Sequence, residues 1–178
     1  KKIVDALHEH LPELDIRQAD IRELPFDGGC FVGYWSLGVI EHFWDGYGPI
    51  ASEMYRVIKD NGYLFLSFPY MSPLRKIKAF LGRYDLYDKD RSHEDFQEFI
   101  LDPRDVIDNF QAKGFKLIRK IPWNPIKGVA DEIKCVEKIL WRLHDSKDSN
   151  IVIKVIWKLT AICLAPVGSH SMLLIFRK

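Results

Sequence analysis

The chain has 178 residues, 47% hydrophobic and 29% charged, which is long enough for one domain with a sizeable core and ordinary for a globular protein. Because 26 Lys and Arg nearly balance 25 Asp and Glu, we expect no nucleic-acid partner. Cys30, Cys135 and Cys163 are scattered and odd in number, which argues against a disulfide or zinc framework and favours a reducing, cytoplasmic compartment. The sequence predicts no metal site.

The first part of the chain reads as strands alternating with helices. An apolar stripe over residues 1–11 predicts a helix that Pro12 ends. We expect a short strand over 15–20, and the run "CFVGYWSL" after the turn "DGG" predicts a buried strand. A helix over 49–59 and the strand "YLFLSF" come next. This order predicts an α/β fold with a mostly parallel sheet.

The second part carries more varied patterns. Residues 71–101 mix aromatic and charged side chains, which suits a lid or an insertion. The stretch "DPRDVIDNFQAKG" predicts a helix with Asp102 as its N-cap, followed by the strand "FKLIRKI". Residues 129–143 and 150–164 are predicted helical, and "HSMLLIFRK" is the last strand.

These patterns predict a single domain over 1–178. Within it, residues 123–168 form a helical insertion before the last strand.

Two of the predicted strand exits carry residue types that suit a ligand. Ligands in open α/β sheets bind outside the carboxyl ends of the strands. Asp20 could accept a hydrogen bond from an exocyclic amine, Ile21 offers an apolar surface to a flat ring, and a glycine such as Gly38 lets the backbone approach closely. Taken alone, Asp20 is more simply a cap or turn residue and Gly38 a plain turn.

Several linked motifs give the combination more specificity. "ADIRELPF", "FVGYWSLGVIEHF" and "EMYRVIKDNGYLFLSFP" together resemble the middle of the class I S-adenosylmethionine-dependent methyltransferases, in their small-molecule, type 11-like branch. The later helix and strand pair and "SHSMLLIFRK" are similar to the end of that fold. The resemblance implies a Rossmann-like methyltransferase fold whose last strand is antiparallel. It also implies S-adenosyl-L-methionine as cofactor and a small-molecule acceptor.

The resemblance also assigns roles to individual residues. Asp20 would accept from the adenine amine and Ile21 would pack on the ring, while Ser36, Leu37 and Gly38 would line the site beside the methionine part of the cofactor. Glu41 and His42 would lie at the mouth of the site as the catalytic candidates, facing the acceptor. A base is needed only where the acceptor loses a proton, and His42 or His93 could serve. The simpler interpretation makes His42 a structural residue at a strand-to-helix turn and His93 a solvated loop residue.

The chain departs from the family pattern in several places. Val32 stands where the family usually has Asp, and Asp60-Asn61 replaces Pro-Gly before Gly62. The glycine-rich loop after the family's first strand and the acidic residue after its second strand have no counterpart here, so we expect a sheet that lacks the first two strands. Three explanations stay open: an N-terminal segment is absent, the strand at 15–20 pairs directly with the strand at 30–36, or a partner chain supplies the missing strands.

An apolar segment near the end of the chain has two interpretations. Residues 151–167 are strongly hydrophobic but include Lys154 and Lys158, which favours an amphipathic helix over a spanning one. The simpler interpretation is that this helix and the one before it cap the sheet or form the wall of a substrate pocket. The alternative is contact with a membrane surface.

The leading hypothesis for function is S-adenosylmethionine-dependent methyl transfer to a small acceptor that could be apolar. The alternative is a non-catalytic or truncated module with the same fold, which could associate with a membrane surface. A nicotinamide oxidoreductase is less favoured because the sequence lacks Gly-x-Gly-x-x-Gly.

Overall fold

Four strands form one sheet in the computed structural model, which describes residues 2–84, 96–146 and 150–178. They are β1 (Phe31–Leu37), β2 (Ile58–Pro69), β3 (Lys116–Trp123) and β4 (Ser171–Arg177), in the spatial order β1-β2-β4-β3. β1 and β2 are parallel, and β4 lies antiparallel between β2 and β3. Three strands therefore share one direction and the last opposes them, which confirms the predicted fold class.

Seven helices and one 3-10 turn connect these strands in the part of the chain that the structure describes. The helices are α1 (Lys2–His10), α2 (Gly48–Val57), α3 (Pro73–Phe80), α4 (Pro103–Ala112), α5 (Pro125–Glu132), α6 (Lys134–Asp145) and α7 (Ile151–Gly168), and the 3-10 turn is Ile40–His42. α4 starts as predicted, because the Asp102 side chain accepts a hydrogen bond of 2.9 Å from the Arg104 N–H. The helix predicted over 129–143 is instead the pair α5 and α6, since Ile133 between them is extended.

The core lies between the sheet and the two helices α2 and α4. Ile50 and Met54 of α2 and Phe110 of α4 are fully buried against side chains of β2 and β4. A second, smaller cluster joins the helices between β3 and β4 and is built on Ile126, Val129, Ala130 and Leu140. The helical insertion therefore has its own apolar packing beside the main core.

The strand predicted over 15–20 is wrong. Asp20 forms only an isolated bridge with Glu23 in the same turn. β1 pairs with β2 alone, so no described residue hydrogen-bonds in a ladder to its outer edge. A strand needs a neighbour for its backbone groups, and residues 15–20 have none here. Direct pairing of this segment with β1, one of the three explanations, is therefore not what the structure shows.

Candidate active site

The exit of β1 is a tight turn that faces the carboxyl edge of the sheet. Ser36 pairs with Leu66 of β2 and is buried, whereas Leu37 beside it is 56% exposed. The Gly38 N–H donates to the Ser67 carbonyl at 3.0 Å, and Gly38 has φ of +70°, a conformation that glycine adopts without strain. The predicted Ser36–Gly38 corner is thus a real structural unit at the end of a strand.

Glu41 is buried directly behind this corner. It lies in the 3-10 turn and is only 1% exposed. A Cβ added to Gly38 would come within 3.4 Å of Glu41 Oε1, so glycine lets the carboxyl group approach the turn. Burial raises the pKa of Glu41 above its ordinary value. The site therefore holds a carboxyl group that keeps its proton to higher pH than an exposed one.

Two polar atoms of this site are buried without a protein partner. Ser36 Oγ and Glu41 Oε2 have no hydrogen-bond partner among the described residues. Such groups are rare in native proteins because each lost hydrogen bond costs about 1–3 kcal/mol. At a strand exit, where ligands bind in α/β sheets, two such atoms mark a candidate site for a ligand that can hydrogen-bond to them.

His42 is held by the segment that packs over the 3-10 turn. Its Nδ1 lies 2.7 Å from the Gln97 carbonyl oxygen, and the Phe99 N–H donates to the Glu41 carbonyl at 2.9 Å. A carbonyl can only accept, so Nδ1 carries the proton, and Nε2 of the neutral ring is left as the acceptor. His42 is exposed, which gives this nitrogen access to a ligand.

Glu98 lies beside Glu41 and His42, and the sequence did not predict this cluster of two carboxyl groups and one imidazole. One ligand atom from each of Glu41, His42 and Glu98 lies within 4.8 Å of the others. No pattern in the sequence links Glu98 to the other two, because 55 or more residues separate them. His93, the other base candidate, lies outside the described residues.

Asp20 and Ile21 are placed differently from each other. The Asp20 carboxylate accepts from Arg22 Nη2 at 2.7 Å, from Arg22 Nε at 3.0 Å and from the Arg22 N–H at 2.9 Å. These hydrogen bonds from Arg22 lower the pKa of Asp20 to about 2. Ile21 packs against the main core. Among the described residues no hydrogen bond or ion pair joins Asp20 to the β1 exit.

The turn that carries Asp20 is anchored to α2 by a pair that sequence reasoning missed. Glu53 Oε1 accepts from the Leu24 N–H at 2.7 Å, and Arg56 donates to the Phe26 carbonyl at 2.8 Å. The two side chains also pair with each other at 2.6 Å. Their i, i+3 spacing on a helix was the available signal.

Two surface hollows lie at the opposite end of the strands from the β1 exit. One, of about 770 Å³, is lined by residues that include Gly28, Lys59 and Lys178, and the other, of about 620 Å³, by Glu23–Asp27 with Cys30, Glu53 and Arg56. Both adjoin the starting ends of β1 and β2, and none of the predicted site residues lines either one. Ser36 Oγ and Glu41 Oε2, the two buried atoms of the β1 exit, therefore lie at the other end of the strands, away from both hollows.

Comparison with known proteins agrees with this geometry. Residues 1–66 match the sequence model of the family described as "Methyltransferase domain". No curated protein matches the chain. An S-adenosylmethionine-dependent methyltransferase from Mesorhizobium loti has a similar structure, with a TM-score of 0.58 and 11% identity over 100% of this chain and 76% of that one. Residues 1–66 therefore resemble the methyltransferase domain family, and the chain shares the fold of this neighbour. The family match and this neighbour indicate S-adenosylmethionine as the cofactor of the fold.

Two other solved structures with a similar fold differ in their named activities. A methyltransferase candidate from Bacillus halodurans C-125 has a TM-score of 0.54 and 18% identity over 100% of this chain and 79% of that one. The [4+2]-cyclase SpnF has a TM-score of 0.55 and 14% identity over 98% of this chain. This chain spans 60% of the length of SpnF.

The residues of the β1 exit fit a cofactor with hydrogen-bond donors. Ser36 Oγ and Glu41 Oε2 are acceptors without a partner among the described residues, and the amino and hydroxyl groups of S-adenosylmethionine are donors. The fit concerns the residues at the β1 exit alone, since the Asp20 carboxylate is already bound by Arg22.

Proposed function

We propose that this chain takes part in S-adenosylmethionine-dependent methyl transfer to a small, apolar acceptor. The observation that carries the proposal is the pair of buried acceptors, Ser36 Oγ and Glu41 Oε2, at the β1 exit. The cofactor would supply a methyl group on a sulfonium sulfur, which a nucleophile displaces in line. Positioning and exclusion of water supply most of the catalysis in such a displacement.

Each residue at the exit has a definable part in this proposal. Ser36 Oγ and the Gly38 backbone would bind and orient the cofactor at the strand end. Glu41, buried and with a raised pKa, would hold a proton or accept a hydrogen bond from the ligand. His42 Nε2 would receive the proton of an acceptor that must lose one, while Nδ1–H stays on Gln97. Ile21 would pack on the adenine ring. Asp20 would accept a hydrogen bond from the adenine amine while its carboxylate also keeps a hydrogen bond from Arg22.

Binding of S-adenosylhomocysteine measured by calorimetry tests the proposal, and two glycines make a matched pair of variants. Gly38 and Gly46 both have positive φ, +70° and +88°, so alanine brings similar backbone strain at both. A Cβ at Gly46 meets nothing within 4 Å, whereas one at Gly38 meets Glu41. We expect micromolar binding by the wild type, a loss of about tenfold or more in Gly38→Ala, and little change in Gly46→Ala. Equal losses in both variants would contradict the assignment of the β1 exit.

A second candidate function is a module with this fold that does not transfer methyl groups. It is favoured by the Asp20 carboxylate, which is bound by Arg22, and by the cyclase SpnF, whose fold is similar and whose named reaction is different. Absence of S-adenosylhomocysteine binding by the wild type, with a cooperative unfolding transition to show that the chain is folded, would support this candidate.

A further inference from the structure

Helix α7 has an apolar surface that the rest of the chain leaves open. It is the one helix among the described residues that is long and apolar enough to cross a membrane, with a mean hydropathy of 1.8 over 18 residues. Only 6% of those residues are buried. A helix that is apolar on nearly all sides is normally buried in protein or in lipid. Exposed side chains of this kind therefore call for something that covers them.

The helix has two distinct sides. Trp157, Ala161 and Leu164, spaced i, i+4 and i+7, pack on the cluster formed with α5. Val155, Leu159 and Ile162, with the same spacing, lie on the opposite side and are 48%, 57% and 68% exposed. The first set holds α7 on the domain, and the second set forms the exposed α7 face.

Helix α3, which also packs on α7, exposes apolar side chains of its own. Phe80 is 90% exposed, Ile77 is 57% exposed and Leu81, just after the helix, is 61% exposed. Monomeric soluble proteins rarely leave a large contiguous apolar patch uncovered, and such patches mark protein or membrane contacts. The exposed apolar side chains of α7 and α3 are therefore candidates for such a contact.

The charges of α7 indicate which of these contacts fits. Lys154 and Lys158 are exposed one turn apart, so at 100° per residue they lie along one border of the exposed α7 face. The helix has no acidic residue, and no described residue forms an ion pair with either lysine. Lysines bordering an apolar helix face match the anionic headgroups that border the apolar interior of a bilayer.

We propose that the exposed α7 face binds the surface of a bilayer that contains anionic lipid, with the helix lying in the plane of the membrane. A spanning orientation is disfavoured because Trp157, Ala161 and Leu164 keep one side of the helix on the domain. A symmetric contact with a second copy would bring Lys154 and Lys158 of both copies, which have no ion-pair partner among the described residues, to the same apolar surface. The proposal is independent of methyl transfer.

Co-sedimentation of the full chain with vesicles tests the proposal. We expect binding to vesicles of phosphatidylcholine with phosphatidylglycerol, and weaker binding to phosphatidylcholine alone. Leu159→Glu/Ile162→Glu should reduce binding by about tenfold or more, whereas Ile118→Glu, at a site of 56% exposure on β3, should not. Lys154→Glu/Lys158→Glu should remove the preference for anionic vesicles. Unchanged binding in Leu159→Glu/Ile162→Glu, or sedimentation of wild type as a dimer without vesicle binding, would overturn the proposal.

A labelling experiment provides a readout that does not depend on how the charged variants fold. Cys30, Cys135 and Cys163 are all exposed, and Cys163 lies next to Ile162 on α7. A chain that retains only Cys163 is labelled with an environment-sensitive dye, and a chain that retains only Cys30, before β1, is the matched control. With anionic vesicles we expect a lipid-phase quencher to reduce the Cys163 signal and leave the Cys30 signal unchanged. Equal quenching at both positions, or none at Cys163, would refute the proposed orientation.

Discussion

The substitution Glu132→Gln tests how the helical insertion is attached to the rest of the domain. Glu132 of α5 is 7% exposed at its side chain and accepts from Arg75 Nε at 2.8 Å, from Lys78 Nζ and from the Tyr84 hydroxyl. Arg75, 5% exposed, also donates to the Tyr70 carbonyl at 3.0 Å and to the His170 carbonyl at 3.1 Å. The buried pair therefore ties α5 to α3 and to the end of β2.

The magnitude follows from what glutamine leaves behind. An uncharged amide keeps one acceptor oxygen, turns a donor NH₂ toward the cationic donors, and leaves the Arg75 charge buried without its partner. Breaking a buried ion pair in this way costs about 3–5 kcal/mol. Glu137→Gln on α6 is the matched control, because its pair with Lys134 is exposed and such pairs contribute about 0–1 kcal/mol. The assay is urea unfolding followed by circular dichroism, and equal destabilisation by the two substitutions would refute the reasoning.

The remaining predictions concern stability. Burial, Lys127 and Arg75 lower the pKa of His170, so the unfolded chain binds more protons than the folded chain. The free energy of unfolding therefore falls as pH drops below about 6.5. His170→Gln should flatten this part of a plot of Tm against pH from 5 to 7.5, and an unchanged slope would contradict the prediction. Asp102→Ala should cost about 1 kcal/mol in urea unfolding by removing the α4 N-cap, and a value near zero would argue against the cap. Gly114→Ala should lower the free energy of unfolding in urea by more than about 1 kcal/mol, because Gly114 has φ of +105° and a Cβ would come within 2.9–3.0 Å of the Tyr55 side chain. A loss of less than about 1 kcal/mol would contradict this steric argument.

The fold elements that the sequence predicted well have strong local signals. The strand β1 and the last strand are apolar runs of strand length, and α4 has its cap, its proline and its final glycine in the chain itself. The burial predicted for β1 is wrong, because among the described residues β1 lies at the edge of the sheet, and Val32 and Trp35 are 67% and 63% exposed. The strand prediction failed where the element depends on a neighbouring strand and not on local sequence. Residues 15–20 alternate as a strand would, yet no described residue pairs with them, because ladder hydrogen bonds depend on a neighbour that sequence spacing does not reveal.

The candidate site divides in the same way. Ser36, Gly38 and Glu41 are within six residues of each other, so a turn brings them together and the motif was enough to predict the corner. Glu98 reaches Glu41 and His42 only through packing of the segment after residue 95. Arg22 is two residues from Asp20, so the sequence allowed a hydrogen bond between the two side chains. Whether that bond forms depends on the Arg22 rotamer, which the sequence does not give.

The exposed α7 face supports our proposal of a surface helix over a helix that only caps the sheet. Hydropathy alone allowed a helix that caps the sheet, a spanning helix or a surface helix. In the structure, the apolar packing of α7 is on α5 through Trp157 and Leu164, and Leu159 and Ile162 face outward. A helix that only capped the sheet would bury those side chains, since burying a leucine is worth about 1.5–3 kcal/mol. The domain leaves this stabilisation unused, and contact of the exposed α7 face with lipid would recover it.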